Sequence, residues 1–464
     1  MRDWRLPALL GLLGLYGVGL ATFPPPVVLI SDESEYVRQA AVFAQGHTHV
    51  AARDPLTGAE REELASTYAP GTSLLQAPFV LFGGWRGAVW ASYLALCWVT
   101  LLSALWLKRR GLPISYAALV PFFIPASVLG RTGMGDLPSA AVVVTATFLL
   151  AAAPERPLAG GLISGATLLF RDSNPVFLVP WIASRLRERR GAALLILGGI
   201  GGASFRPLLA WVLQGSPFLV HKTVYPFTFE GALERGALYA FALCVLVPGG
   251  LLALGWYRGT QRPEVVGTVL LSYAFFSLYS YSGRDSGPVA SVVLGPRYLI
   301  PLVPLLALAI GDVATRRIPS VHRRRALELS ILVAAGVVTC VVHPLLHRVA
   351  RRQATFVTAL YAATHADALL VTEPGATAKY LNGLYGNRTI VDKLSVPAAK
   401  MGALLARGPV QVVFVDRFDS AYWREMARLN QEYLETVAQT CEVQPRVDRS
   451  DKERLRVLDV VKCQ

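Results

Sequence analysis

The sequence predicts an α-helical polytopic membrane protein of about eleven spans, followed by a small C-terminal α/β unit. Three observations predict it. Of 464 residues, 53% are hydrophobic and 16% charged, against about 25% charged in a soluble globular protein. Mean hydropathy is +0.44. Apolar stretches of roughly membrane-spanning length recur until about residue 345, and beyond that point short apolar runs alternate with amphipathic ones.

The spans fall near 6–23, 87–107, 113–129, 137–153, 158–170, 175–184, 191–209, 237–256, 265–281, 297–313 and 326–345. The first is expected to remain as a span. It is long, it lacks a small-residue cleavage site before Pro24-Pro25-Pro26, and further spans follow it. The net charge of +14 is gathered in short clusters between spans: Arg2 and Arg5, Lys108 to Arg110, Arg185 to Arg190, Arg258 and Arg262, and Arg316 to Arg325. Positive loops mark the cytoplasmic side, so these clusters report orientation and imply no nucleic-acid partner. With the N-terminus inside, the tail after His347 lies outside, and the protein is expected in the plasma membrane with its chemistry facing out.

That orientation sorts the acids. Asp32, Glu33, Glu35, Asp136, Asp172 and Asp285 all fall on the outer side, with Arg131, Arg171, Arg206, Lys222, Arg284 and Arg297 near them. Ser31-Asp32-Glu33-Ser34-Glu35-Tyr36 follows the first span directly. Carboxylates lose solvation near hydrocarbon, so such a run makes sense facing a wet cleft where a proton is taken or a cation held. Loop charges taken singly are usually solvated or locally paired, and Asp136 before Leu137-Pro138 also fits a helix cap.

Asp-Glu-x-x-Tyr opens the first outer loop, and Tyr68-Ala69-Pro70-Gly71-Thr72 and Gln76-Ala77-Pro78 lead into the second span. Gly135-Asp136-Leu137-Pro138 follows a later span, Ala159-Gly160-Gly161-Leu162 runs on to Phe170-Arg171, and Gly295-Pro296-Arg297-Tyr298-Leu299-Ile300-Pro301 begins a late one. In this order the motifs resemble the GT-C superfamily of polytopic glycosyltransferases, close to the protein mannosyltransferases and lipid A aminoarabinose transferases, over residues 1–345. The resemblance implies an enzyme that moves a sugar from a polyprenyl-phosphate donor to a glycan, lipid or protein acceptor outside the cytoplasm, with inversion. Such chemistry releases no nucleotide, and the chain has neither a Rossmann fingerprint nor a P-loop. The aminoarabinose transferases carry a Lys-Pro-Pro-Leu type motif where this chain has Ala69-Pro70-Gly71-Thr72, so the phosphate contact of that lysine is not carried over.

Under this reading Asp32 is the general base. Glu33 orients it, binds acceptor or helps hold a metal, and Asp136 positions acceptor or acts on Asp32 by like-charge repulsion. The departing phosphate needs cations: Arg297 first, then Arg131, Arg171, Arg206, Lys222 and Arg284. Arg297-Tyr298 also suits plain interfacial anchoring. A divalent metal, if used, is expected on Asp32, Glu33 and Asp136, ahead of the histidines His47, His49, His221, His343 and His347. A lipid-linked-sugar flippase or a transporter is the alternative; neither requires an outer Asp-Glu pair, and no inverted repeat is evident.

Residues 346–464 are expected to form an outer α/β domain with a largely parallel sheet. Strands are predicted at 368–372, 389–391 and 410–415, and helices at 375–384, 397–405 and 420–434. Cys97, Cys244 and Cys340 lie within spans. Cys441 and Cys463 flank two apparent strands, equally far from a turn near Lys452, and are expected to form a disulfide across a hairpin.

Overall fold

The computed structural model describes the chain except residues 1–3, 55, 56, 58, 190, 218–226, 280–290, 293, 374–379, 382, 383, 387, 417–420, 451–453 and 464. Lys222, Arg284, Asp285, His221 and Arg417 therefore lie outside the described residues, as does most of the helix expected at 375–384.

The first apolar run forms α1 (Arg5–Thr22) and stops before the three prolines, which cannot continue a helix. Helix α2 (Ser31–Ala44) carries the acidic run in its first turn, where negative charge complements the helix dipole. A hairpin of β1 (His49–Arg53) and β2 (Glu60–Leu64) follows, then α3 (Gly71–Gly83) and α4 (Gly87–Arg109). The stretch expected to span at 113–129 is instead a 3-10 turn at Ile114–Ala118 and two short helices, α5 (Leu119–Phe122) and α6 (Ile124–Leu129). Pro121 and Pro125 remove backbone donors and break it into pieces.

Helices α7 (Asp136–Ala152), α8 (Pro157–Ala166), α9 (Pro175–Arg187) and α10 (Ala192–Gln214) come next. After them α11 (Ala232–Phe241), with its π-helical continuation to Leu246, meets α12 (Gly250–Trp256) at a bend of 83°. Pro248 and the left-handed Gly249 (φ 71°) stand at the break. The bundle ends with α13 (Arg262–Leu278), α14 (Val303–Arg317) and the 43-residue α15 (Val321–Ala363). Among the described residues five helices are long and apolar enough to cross a membrane, or six with the bent pair. The other expected spans are shorter or broken helices, many of them buried among neighbours. A fully buried core of Leu96, Val99, Trp106, Leu119, Val144 and Leu306 holds the bundle together, which makes this a multi-pass membrane protein with short helices packed inside it.

Beyond α15, five strands form one sheet in the order β4-β3-β5-β7-β6. They are β3 (Leu369–Thr372), β4 (Thr389–Asp392), β5 (Val410–Asp416), β6 (Cys441–Ser450) and β7 (Arg454–Cys463), with α16 (Met401–Leu405) and α17 (Ala421–Thr440) between them. Two strand pairings are parallel and two antiparallel, so the sheet is mixed where a largely parallel one was expected. The three residues between β6 and β7 cannot make the long crossover that parallel neighbours need. Cys441 lies opposite Cys463 in the register and is disulfide-bonded to it.

The sheet is tied to the segment that leads into Asp32. Val27 and Leu29 pack with Val357 and Leu360 of α15 and with Leu370 and Val413 of the sheet. The Val28 N–H donates to the Tyr385 hydroxyl at 2.6 Å, and Gln353 donates to the Val28 carbonyl at 2.8 Å. His347 meets the Pro24 carbonyl oxygen at 2.9 Å. Rigid elements on both sides thus fix where α2 begins.

Candidate active site

Four charged side chains from distant parts of the chain meet beside α2. Arg297 donates from Nη2 to Asp32 Oδ2 at 3.3 Å, and its Nε lies 3.6 Å from Asp136 Oδ1. Arg171 donates from Nη2 to the same Asp136 oxygen at 2.8 Å. One buried acid therefore holds two arginines. The Asp136 side chain is 0% exposed and that of Asp32 31% exposed, so Asp32 alone of the two carboxylates faces water. Asp136 Oδ2 is buried without a hydrogen-bond partner among the described residues, leaving one acceptor position in reserve.

Both guanidiniums lie over the ring of Tyr298, Arg171 at 5.0 Å and Arg297 at 5.1 Å from its centroid. Phe276 stacks on that ring at 5.2 Å, and the Tyr298 hydroxyl accepts from Arg297 Nη2 at 3.1 Å. An aromatic face attracts cations and restricts a guanidinium plane, so the arginines are oriented by Asp136 in one direction and by Tyr298 in another. A small cavity opens here, lined by Asp136, Ser139, Arg171, Asn174, Arg297 and Tyr298. Ser139 donates to Asn174 Oδ1 at 3.0 Å, and Asn174 donates to the Thr167 carbonyl at 2.9 Å.

Local sequence explains the placement. Asp136 is the first residue of α7, its side chain makes no capping hydrogen bond, and Gly135 takes the cap position. The carboxylate is therefore free to turn to the arginines. Gly135 is required for close approach: a Cβ there would stand 2.8 Å from Thr72 Oγ1 and 2.9 Å from the Tyr36 ring. Pro296 and Pro301 bound the turn that carries Arg297 into the cavity.

Glu33 goes elsewhere. Its Oε1 accepts from the Gly133 N–H at 2.6 Å and its Oε2 from the Leu29 N–H at 2.8 Å, with the residue 1% exposed. Burial pushes its carboxyl up to about 7, against the opposing pull of the two amide donors. It ties the start of α2 to the turn before α7, which are the segments carrying Asp32 and Asp136. Arg131 is fully buried and donates to the backbone carbonyls of His343 and, at 2.8 Å, Phe23. It joins α1 to α15 and does not reach the cavity. Arg206 pairs with the exposed Asp172 and with the Leu168 carbonyl at 2.8 Å. Of the expected phosphate cations that are described, Arg171 and Arg297 meet Asp136, and Arg297 also Asp32, whereas Arg131 and Arg206 reach neither.

A three-carboxylate metal site does not assemble. Glu33 is taken by amides, Asp32 and Asp136 face arginines, and the described residues contain no group of three or more His, Cys, Asp or Glu side chains suited to a metal. Tyr298 was expected only as an interfacial partner of Arg297, although the Arg-Tyr pair was its signal. Asn174 and Ser139 carried no signal at all, being ordinary polar residues near helix starts.

No protein-family model matches the chain, and no curated relative does. Solved structures do. The crystal structure of ArnT from Cupriavidus metallidurans bound to undecaprenyl phosphate superposes with a TM-score of 0.61 at 14% identity, covering 98% of each chain. The apo state of ArnT gives 0.59 at 13% identity, over 98% of this chain and 97% of that one. Arabinofuranosyltransferase AftD from Mycobacteria gives 0.50 at 14% identity, over 99% of this chain and 40% of that one. At such identities shared shape speaks for fold, and activity has to be argued from the site. The chain shares its fold with ArnT and AftD.

Proposed function

We propose that this chain is a membrane glycosyltransferase that moves a sugar from a polyprenyl-phosphate donor to an acceptor hydroxyl at the outer face of the plasma membrane, with inversion. Residues 1–345 form the catalytic domain and 346–464 an outer domain. The observation that carries the reading is the asymmetry of the two acids. Asp32 is open to water beside Arg297, whereas Asp136 is sealed and spent on holding Arg171 and Arg297.

Asp32 accepts the acceptor's proton as its oxygen attacks the anomeric carbon. The bond from that carbon to the phosphate oxygen breaks, and the polyprenyl phosphate leaves with one more negative charge. Arg171 and Arg297 line the cavity, held there by Asp136, so their charge is already in place to meet that of the leaving phosphate. Arg297 couples the two events. Once Asp32 is protonated its hold on Arg297 Nη2 weakens, and that donor turns to the phosphate. Glu33 acts as a positioning residue through Gly133 and Leu29.

The test is Asp32→Asn in the full chain reconstituted with polyprenyl-phosphate sugars from host membranes, with released polyprenyl phosphate followed by mass spectrometry. General-base catalysis is typically worth roughly 10²–10⁴-fold, so release is expected to fall by that factor with folding intact. Release within about tenfold of wild type sinks Asp32 as the base.

A further inference from the structure

Helix α15 presents a continuous lipid-facing stripe. Leu329, Val333, Val337, Val341, Leu345 and Val349 recur every fourth residue and are each about half exposed, while Leu332, Ala335, Thr339 and Val342 are buried on the opposite face. At 1.5 Å per residue the stripe is about 30 Å long, the thickness of a hydrocarbon core. Its length places the helix against the bilayer. Arg348, Arg351 and Arg352 come at its end, on the side of the membrane where α15 meets Pro24 and the outer sheet.

Arg348 and Arg352 stand three and seven residues beyond Leu345, so they continue the same stripe. All three arginines are exposed, and no acid pairs with them among the described residues. The sequence explains why: residues 329–366 contain no Asp or Glu. Arginine is disfavoured on the outer flank of a span by the same bias that orients the chain. Three of them at the phosphate plane, uncompensated and facing lipid, need a counter-charge that the protein does not supply. We propose that Arg348, Arg351 and Arg352 form a docking site for the phosphate of an anionic glycerophospholipid in the leaflet on the active-site side. The guanidinium fork suits a phosphate diester, and the acyl chains lie along Val341 and Leu345 below it.

The full chain in nanodiscs of equal phosphatidylcholine and phosphatidylglycerol, released for native mass spectrometry, tests the site. Wild type is expected to retain phosphatidylglycerol in excess, with the excess falling as salt is raised. Arg348→Gln/Arg351→Gln/Arg352→Gln is expected to lose that preference by about fivefold per arginine removed. The triple lysine variant, which keeps the charge and controls for folding, retains most of it. A glutamine variant that retains phosphatidylglycerol as wild type does overturns the proposal. So does a wild type that retains both lipids equally, or a lysine variant that falls to the glutamine level.

Discussion

Among the described residues, two clusters of charge, each built from two carboxylates and two cations, differ in their access to water. In the C-terminal sheet, Asn430 of α17 stands at the centre. It donates to Glu373 at 2.8 Å and to Asp416 at 2.9 Å and accepts from Lys393. Arg456 pairs with Asp416 at 2.6 Å and donates to Gln431 at 2.7 Å. Asn430, Glu373, Asp416, Lys393 and Arg456 are all buried. The cluster beside α2 has no such central amide. It leaves Asp32 partly in water and one oxygen of Asp136 unanswered. A closed network rigidifies a fold, while an open one holds charge ready for a substrate. Charges of both signs serve both ends, and exposure separates them: the sheet cluster is buried throughout, whereas Asp32 meets water.

The contrast breaks if Asp136 behaves like Asp416. Asp136→Asn keeps the shape and removes the charge that holds Arg171 and Arg297. Misplacement of substrate-binding groups by about 1 Å costs on the order of 10²-fold. Transfer is expected to fall by about that factor, mainly through a raised KM for the polyprenyl-phosphate donor. Steady-state kinetics of the full chain in detergent check this, and an unchanged donor KM would assign Asp136 a purely structural part.

Next in size is Asn430→Leu, which strips the centre from the closed network. Leaving a buried charge without its partner costs about 3 kcal/mol or more, so the C-terminal sheet should unfold earlier while turnover per folded molecule stays put. Limited proteolysis against temperature separates the two readouts. A large fall in turnover of folded protein would mean that the sheet cluster belongs to the chemistry.

The smallest effect is a pH slope. Burial, helped by the neighbouring Asp416, pushes Glu373 up from 4.5 to about 7 although Asn430 donates to it. Between those two values the folded protein keeps a proton that the unfolded chain has lost. Stability of the C-terminal sheet therefore falls as pH rises through that window and levels off above it. The change is about 3 kcal/mol. Glu373→Gln is expected to flatten the slope of unfolding temperature against pH, and a slope that survives the substitution would place the titrating group elsewhere.

Much of the plan was legible in residue types and spacing. Low charge and recurrent apolar runs mark a membrane protein, since apolar stretches of that length suit hydrocarbon. The position of Asp32 just after the first span was readable because a carboxylate there has few cheap explanations. The opposition of Cys441 and Cys463 followed from strand alternation about a short turn, a local matter of period two. The strands expected at 368–372, 389–391 and 410–415 were readable as short apolar runs and are found at 369–372, 389–392 and 410–416.

Other features were set only in three dimensions. The number of continuous spans depended on where Pro121, Pro125 and the Gly249 bend interrupt helices, and on neighbours that bury the resulting short pieces. Sequence could place six cations near the acids but could not choose among them. Arg171 and Arg297 reach Asp136 because the starts of α7 and α9 and the turn before α14 converge, whereas the nearer Arg131 spends its donors on the carbonyls of Phe23 and His343. Likewise Asp32 and Glu33 are neighbours in sequence, yet successive positions on a helix point about 100° apart. One faces Arg297 and water, and the other turns inward to the Gly133 amide. Composition and local period determine which solvent a chain belongs in and where its elements begin. Which charges meet is decided by long-range packing, because a side chain's partner is set by the geometry of whole elements and not by distance along the chain.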